Sequence, residues 1–181
     1  VAQYTLDEQA CHVTHLPLVK TKILFHPDSL KLKRGQIGLT SIEAVNVTDL
    51  LSVSLRLRFD PQIVSVVDAA PATPTIEVAP CAIFTQAPVF TVTRNMVNNA
   101  LGRIEFQAEL PPDTPFSGTG SLLDVAWRGE AAGDSPLELT EAIVSDRFGF
   151  PISAAIGKGK VTVFEIPHLL KLHGRVHLQG R

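Results

Sequence analysis

Residues 51–61, LSVSLRLRFDP, constrain this chain more than any other segment. Leu51, Val53, Leu55, Leu57 and Phe59 alternate with Ser52, Ser54, Arg56 and Arg58. A period of two places the apolar groups on one face of a strand and the polar groups on the other. Asp60-Pro61 then ends the strand, because proline has no N–H for a ladder and restricts the residue before it. A strand with one apolar face and one face of two arginines and two serines fits an antiparallel sandwich or barrel. Its outer face is a candidate for recognition rather than for chemistry.

The 181 residues suit one domain of about 140–150 residues with tails. An apolar fraction of 45% is ample for a packed core, and a net charge of −2 offers no broad basic footprint for nucleic acid. No apolar run approaches the roughly 20 residues of a membrane helix. The opening residues, VAQYTLDEQACHVTH, lack a basic segment followed by an apolar one, so no signal peptide is expected in them. A mature protein would read the same way, so this does not argue for the cytoplasm. Cys11 and Cys81 match no metal or redox spacing. Two states stay open for them. One is a disulfide closing a loop of about 70 residues, worth roughly 4 kcal/mol in the chain-entropy model. The other is two unpaired thiols, one on a tail and one in a loop.

Residues 1–20 have no sustained periodicity and read as an N-terminal arm or linker. Strands are expected at 22–25, 36–45, 51–59, 63–69, 89–96, 103–110, 121–128, 137–144 and 158–164. Lys33-Arg34-Gly35 marks a turn, and Asn98-Asn99-Ala100-Leu101-Gly102 a hairpin. The stretch Ala70 to Pro88 holds four prolines and reads as a long excursion. In RIEFQAEL, Ile104, Phe106 and Ala108 face one way and Arg103, Glu105, Gln107 and Glu109 the other. No segment keeps a helical apolar spacing beyond two turns. The chain is therefore all-β, with nine strands at sandwich-like intervals over residues 21–164. Residues 165–181 form a C-terminal linker in which HLLKLHGRVHLQGR starts another alternating strand, as if opening a further module.

Catalytic constellations are missing. His168, His173 and His177 have loosely zinc-like spacing, but only the last two would share a strand face. No metal site is expected. The serines lack a nucleophile-elbow sequence. Glu105 and Glu109 lie on the polar side of one strand, and Asp28, Asp49, Asp60 and Asp113 sit in turns, where aspartate caps backbone groups. No DxDxDG calcium loop occurs. Asn46-Val47-Thr48 is a formal glycosylation sequon.

The order of the pieces carries a resemblance. A strand ending in LRFDP is followed by the apolar IVSVVDA, then a hairpin whose return strand begins GRIEFQAE. After these come GTGSLLDVAWR, a strand after SPLEL, and the closing GKGKVTVF. Over residues 21–164 this set resembles the cohesin domain family, in which similar phrases run in the same order. The resemblance implies a nine-stranded jelly-roll β-sandwich of the cohesin and carbohydrate-binding-module type. It implies a flat face, built from the third, fifth, sixth and eighth strands, that binds a dockerin. A dockerin is a small helical module, and the calcium expected in the complex belongs to it. Cohesin-like domains of this kind imply an extracellular or cell-surface location in a bacterium or archaeon. Carried onto this chain, the face holds the polar residues of 51–59, 89–96, 103–110 and 137–144. The residues singled out are Ser52, Ser54, Arg56, Arg58, Thr91, Thr93, Arg103, Glu105 and Gln107. Arginine and short hydroxyl side chains suit that role, through planar multi-donor heads and low-entropy hydrogen bonds. The proline-rich excursion with Cys81, and the N-terminal arm, depart from the family's pattern.

Three functions compete. One is a non-catalytic docking module for a dockerin-bearing protein. A second is a carbohydrate-binding module, which needs exposed aromatic rings. Trp127 shares parity with Leu123 and Val125 and is expected in the core, while Tyr4 lies in the arm. The third is a passive spacer in a cell-surface protein. Phe84, Phe116, Phe148 and Phe150 fall in loops, as interface anchors or as packing over the ends of the sandwich.

Overall fold

The computed structural model describes residues 20–87 and 89–165. The arm with Tyr4 and Cys11, and the C-terminal segment with His168, His173 and His177, lie outside the described residues, as does the question of a Cys11–Cys81 disulfide.

The elements are β1 (Thr21–His26), β2 (Ser29–Lys33), β3 (Ile37–Arg58), β4 (Val64–Val66), β5 (Ala79–Pro80), α1 (Ala82–Thr85) and β6 (Thr91–Asn98). They continue as β7 (Arg103–Glu109), β8 (Phe116–Gly129), β9 (Gly133–Asp146), β10 (Ala154–Ile156) and β11 (Gly159–Phe164). One layer of the sandwich runs β6–β7–β3–β9, using residues 52–58 of β3. The other runs β10–β1–β3–β8, using residues 37–44 of β3, with β4 and β5 on the far edge of β8. A parallel pair, β2 with β11, joins the start of β9 and closes one side.

The architecture is the expected all-β sandwich, with eleven strands among the described residues where nine were expected. The strands predicted at 36–45 and 51–59 are one ladder of 22 residues, β3. Three short strands, β2, β5 and β10, lie in segments where no strand was expected. The merged strand passes from one layer to the other at a corner. Asn46 (φ 53°) and Asp49 (φ 54°) take left-handed backbone there, a conformation asparagine and aspartate tolerate better than other side chains. β8 stabilises the corner, since the Asn46 and Asp49 N–H groups donate to Thr119 Oγ1 (3.1 Å) and Ser117 Oγ (2.8 Å). Val47 and Leu50, between and after these residues, turn fully inward.

The core lies between the layers. Val53, Leu55, Leu57 and Phe59 are buried as the alternation requires. Burying one such side chain contributes roughly 1.5–3 kcal/mol. A one-residue slip would exchange them for Arg56 and Arg58, so the register is strongly specified. Trp127 is fully buried, its ring edge-on to Phe59 at 5.2 Å. Phe84, expected in a loop, is carried by α1 into the core beside Phe106. Phe116 opens β8 and packs partly against the core.

Two asparagines tie the β6–β7 hairpin to the segments facing it. Asn95 accepts from the Val78 N–H (3.0 Å) and donates to the Val78 carbonyl (2.8 Å). Asn99 makes the same pair with Val66, at 2.8 and 3.0 Å. Each amide substitutes for a backbone partner, so the hairpin is held in place without a further strand. Beyond β9, the Asp146 carboxylate accepts from the N–H groups of Phe148 and Phe150, both at 2.9 Å. That loop holds both rings in solvent, at 73% and 67% exposure, so neither packs over the end of the sandwich.

Candidate functional site

The outward side of the β6–β7–β3–β9 layer is a grid set by strand register. Its rows, from β6 to β9, are Thr91–Glu109–Ser52–Ser145, then Arg94–Gln107–Ser54–Ile143. The next rows are Met96–Glu105–Arg56–Glu141 and Asn98–Arg103–Arg58–Glu138. With strands about 4.8 Å apart and same-face residues about 6.8 Å apart along each strand, the grid spans about 14 by 20 Å.

Side chains in the grid are linked across all four strands. Glu105 is the hub: it pairs with Arg94 from β6, Arg103 from its own strand (3.5 Å) and Arg56 from β3 (3.9 Å). Arg56 also holds Glu141 of β9 at 2.9 Å, and the Ser54 hydroxyl donates to the same carboxylate at 3.0 Å. Gln107 donates to Ser54 Oγ at 3.2 Å, so the contacts run through three of the four rows. The Glu105 side chain is only 15% exposed, whereas those of Arg56, Arg94 and Arg103 are 46–47% exposed. The carboxylate lies in the floor and the guanidinium groups lie over it. The rows toward Ser52 are different in kind. There Ser52, Ser54, Thr93, Gln107 and Ile143 surround a shallow depression of about 200 Å³.

All nine residues singled out from the sequence stand on or at the rim of this one face. Ser52, Ser54, Arg56 and Arg58 form the β3 column, and Arg103, Glu105 and Gln107 lie in the β7 column. Thr91 begins the β6 column opposite Glu109, and Thr93 lines the depression from a bulge. That bulge, between Val92 and Arg94, shifts the parity of β6. Arg94 and Met96 therefore join the face, and Asn95 and Val97 turn toward the other layer. The sequence reading did not single out Arg94, Met96, Glu141 or Ile143. Arg94 and Met96 lie beyond a bulge that strict alternation does not reveal. Glu141 and Ile143 follow another one, at Thr140, whose hydroxyl donates to the Arg56 carbonyl at 3.3 Å.

Cys81 lies away from the face, beside β8. Burial pushes its thiol up to about 12 from an ordinary 9.0, and the neighbouring Asp124 carboxylate adds to the shift. Such a thiol is inert at neutral pH rather than nucleophilic. The Trp127 ring, fully in the core, offers no sugar-stacking platform.

No protein-family model matches the sequence, and no curated protein matches it significantly. Solved structures do match. A non-cellulosomal cohesin from the hyperthermophilic archaeon Archaeoglobus fulgidus superposes with a TM-score of 0.61 at 18% identity, over 80% of this chain and 91% of that one. A type I cohesin–dockerin complex from Clostridium thermocellum contains a chain matched at TM-score 0.65 and 18% identity, over 81% of this chain and 95% of that one. A type II cohesin domain from the cellulosome of Acetivibrio cellulolyticus gives TM-score 0.65 at 15% identity, over 78% and 95%. At these identities the likeness is one of fold: the chain has a cohesin-like fold.

Proposed function

We propose that this domain is a non-catalytic docking module that binds a dockerin-type helical protein through its β6–β7–β3–β9 face, in an extracellular or cell-surface assembly. The observation that carries the reading is the grid. β3, the β6–β7 hairpin and β9 meet in register to make one flat face on which Arg56, Arg94, Arg103, Glu105 and Glu141 already hold one another. Holding side chains before binding reduces the ordering entropy that association costs. An area of about 14 by 20 Å accommodates the roughly 10–12 Å width of an α-helix lying across the strands. Matched structures that are cohesins in complex with dockerins support the same partner class. Calcium in such a complex belongs to the partner.

The test is a pull-down of calcium-loaded dockerin modules from the same organism, with titration calorimetry of any that bind. Binding that is lost with a chelator and weakened at least about tenfold by Arg56→Glu, with the variant's circular dichroism unchanged, supports the reading. Affinity indifferent to Arg56→Glu places the contact elsewhere on the domain. Failure of every dockerin to bind favours the spacer function.

A further inference from the structure

We infer that the Arg58–Arg103 end of the face receives carboxylate groups from an acidic patch on the protein partner. The inference rests on the docking reading for the partner's class and adds the partner's chemistry. Arg58 and Arg103 stand directly opposite each other on β3 and β7. Such cross-strand neighbours bring their Cβ atoms to about 4.5–5.5 Å, where two like charges repel. Arg103 reaches only Glu105, a carboxylate already taken by Arg94 and Arg56. Arg58 makes no ion pair among the described residues, although Glu138 is next to it in register on β9. Three guanidinium groups around one carboxylate, and a fourth beside them, leave N–H donors that only water meets in the free domain, since each guanidinium offers five. A planar fork of that kind matches a carboxylate with two parallel hydrogen bonds.

The rest of the face decides between sources of negative charge. Glu109, Glu138 and Glu141 lie in the same grid, and the whole chain carries a net charge of −2. A polyanion such as nucleic acid would meet those carboxylates along with the arginines. Discrete aspartate or glutamate side chains aimed at the Arg58–Arg103 pair meet only Glu138, beside Arg58, and avoid Glu109 at the far end and Glu141, which Arg56 and Ser54 already hold. At the opposite end Glu109 lines the depression with Ser52, Ser54 and Ile143, so that end disfavours carboxylates and takes uncharged or cationic groups of the same partner.

The experiment follows the arginine Nε–Hε resonances of the ¹⁵N-labelled full chain. The probe is the peptide acetyl-Asp-Glu-Asp-Glu-amide, with acetyl-Asn-Gln-Asn-Gln-amide as its neutral counterpart. Expected are saturable shifts of the Arg58 and Arg103 signals with the acidic peptide alone, abolished in the Arg58→Gln/Arg103→Gln variant. Absence of a selective shift overturns the inference, as do equal shifts at Arg128 and Arg147. Inorganic phosphate or a short oligonucleotide moving the same signals at lower concentration also overturns it, in favour of a phosphate site. A dockerin that binds the double variant as tightly as the native chain overturns it while the docking reading stands. A loss of at least about tenfold supports both. If no dockerin binds, the docking reading fails and the peptide titration decides this inference alone.

Discussion

Replacing Glu105 by glutamine tests whether the ion network on the face is structural. The substitution keeps the shape of the side chain and a hydrogen-bond acceptor but removes the charge on which three arginines converge. The partners are nearly half exposed, at 46–47%, so each pair is discounted for solvent screening to about 0.2–1 kcal/mol. Three such contacts sharing one carboxylate sum to about 1–2 kcal/mol. Some of that loss is repulsion among Arg56, Arg94 and Arg103 once the carboxylate is gone. Urea unfolding measures it, with an unchanged slope showing that the native and denatured states have kept their compactness. Salt discriminates between causes. At 1 M ionic strength the screening length falls to about 3 Å, so the loss is expected to shrink below about 0.5 kcal/mol. A loss equal at low and high salt would refute the electrostatic account and point to packing. No loss at low salt would mean that the arginines and Glu105 do not hold the face in shape.

Two further outcomes follow from the geometry. At Gly102 (φ +61°) an added Cβ would stand 2.2 Å from the Phe59 carbonyl oxygen, and the Gly102 carbonyl accepts from the Phe59 N–H at 3.0 Å. Gly102→Ala is therefore expected to lower stability by more than about 2 kcal/mol by urea unfolding. Gly35→Ala, with φ +78° and open space around it, should cost only about 1 kcal/mol of backbone strain. Equal losses at the two sites would contradict the close approach at Gly102. Cys81, with its thiol pushed from 9.0 to about 12, carries roughly a thousandfold less thiolate at pH 8 than an ordinary cysteine. In a Cys11→Ser background its reaction with an aromatic disulfide reagent should be correspondingly slow when folded, and faster in the Asp124→Asn variant. The linked effect on stability has a definite sign. The unfolded thiol ionises above about pH 9 while the folded one stays protonated to about 12, so this contribution is whole below pH 9 and declines as the pH rises. Rapid labelling of the folded protein at pH 8 would contradict the raised pKa of the half-buried Cys81 thiol.

Strand faces were legible in the sequence wherever one side is buried and the ladder is regular. LSVSLRLRF and RIEFQAEL satisfy both conditions, and their inward and outward residues stand as the alternation requires. Parity fails where a tertiary contact makes the backbone irregular. The bulge at Thr93 and the one at Thr140 each add a residue to one strand without changing the local composition. The corner at Asn46–Asp49 was marked by residues that favour turns, and reading it as a break between strands was the natural inference from propensity. It is instead a bend within β3, because Ser117 and Thr119 of β8 supply hydroxyl acceptors to the bent backbone. Those acceptors lie some 70 residues away in the chain, at separations of 68 and 73, so no local signal could report them.

The same distinction separates the residues of the face from what the face does. Alternation along one strand shows that Arg103, Glu105 and Gln107 point outward together. It is silent on their neighbours, and on such a face the bland reading is a solvated row of charges. Register changes that. Arg94 and Arg56 reach the Glu105 carboxylate from the strands on either side, and Ser54 joins Gln107 to Glu141. Side chains that would each lose rotamer freedom on binding are already restrained by their neighbours. A solvated face has no need of such restraint, because freely moving charged side chains keep a sheet soluble equally well. Fixed geometry gains an advantage when a second surface must match it. The mismatch at Arg58 and Arg103, two cations in register with too few acceptors, then becomes intelligible as the part of the match that the partner supplies.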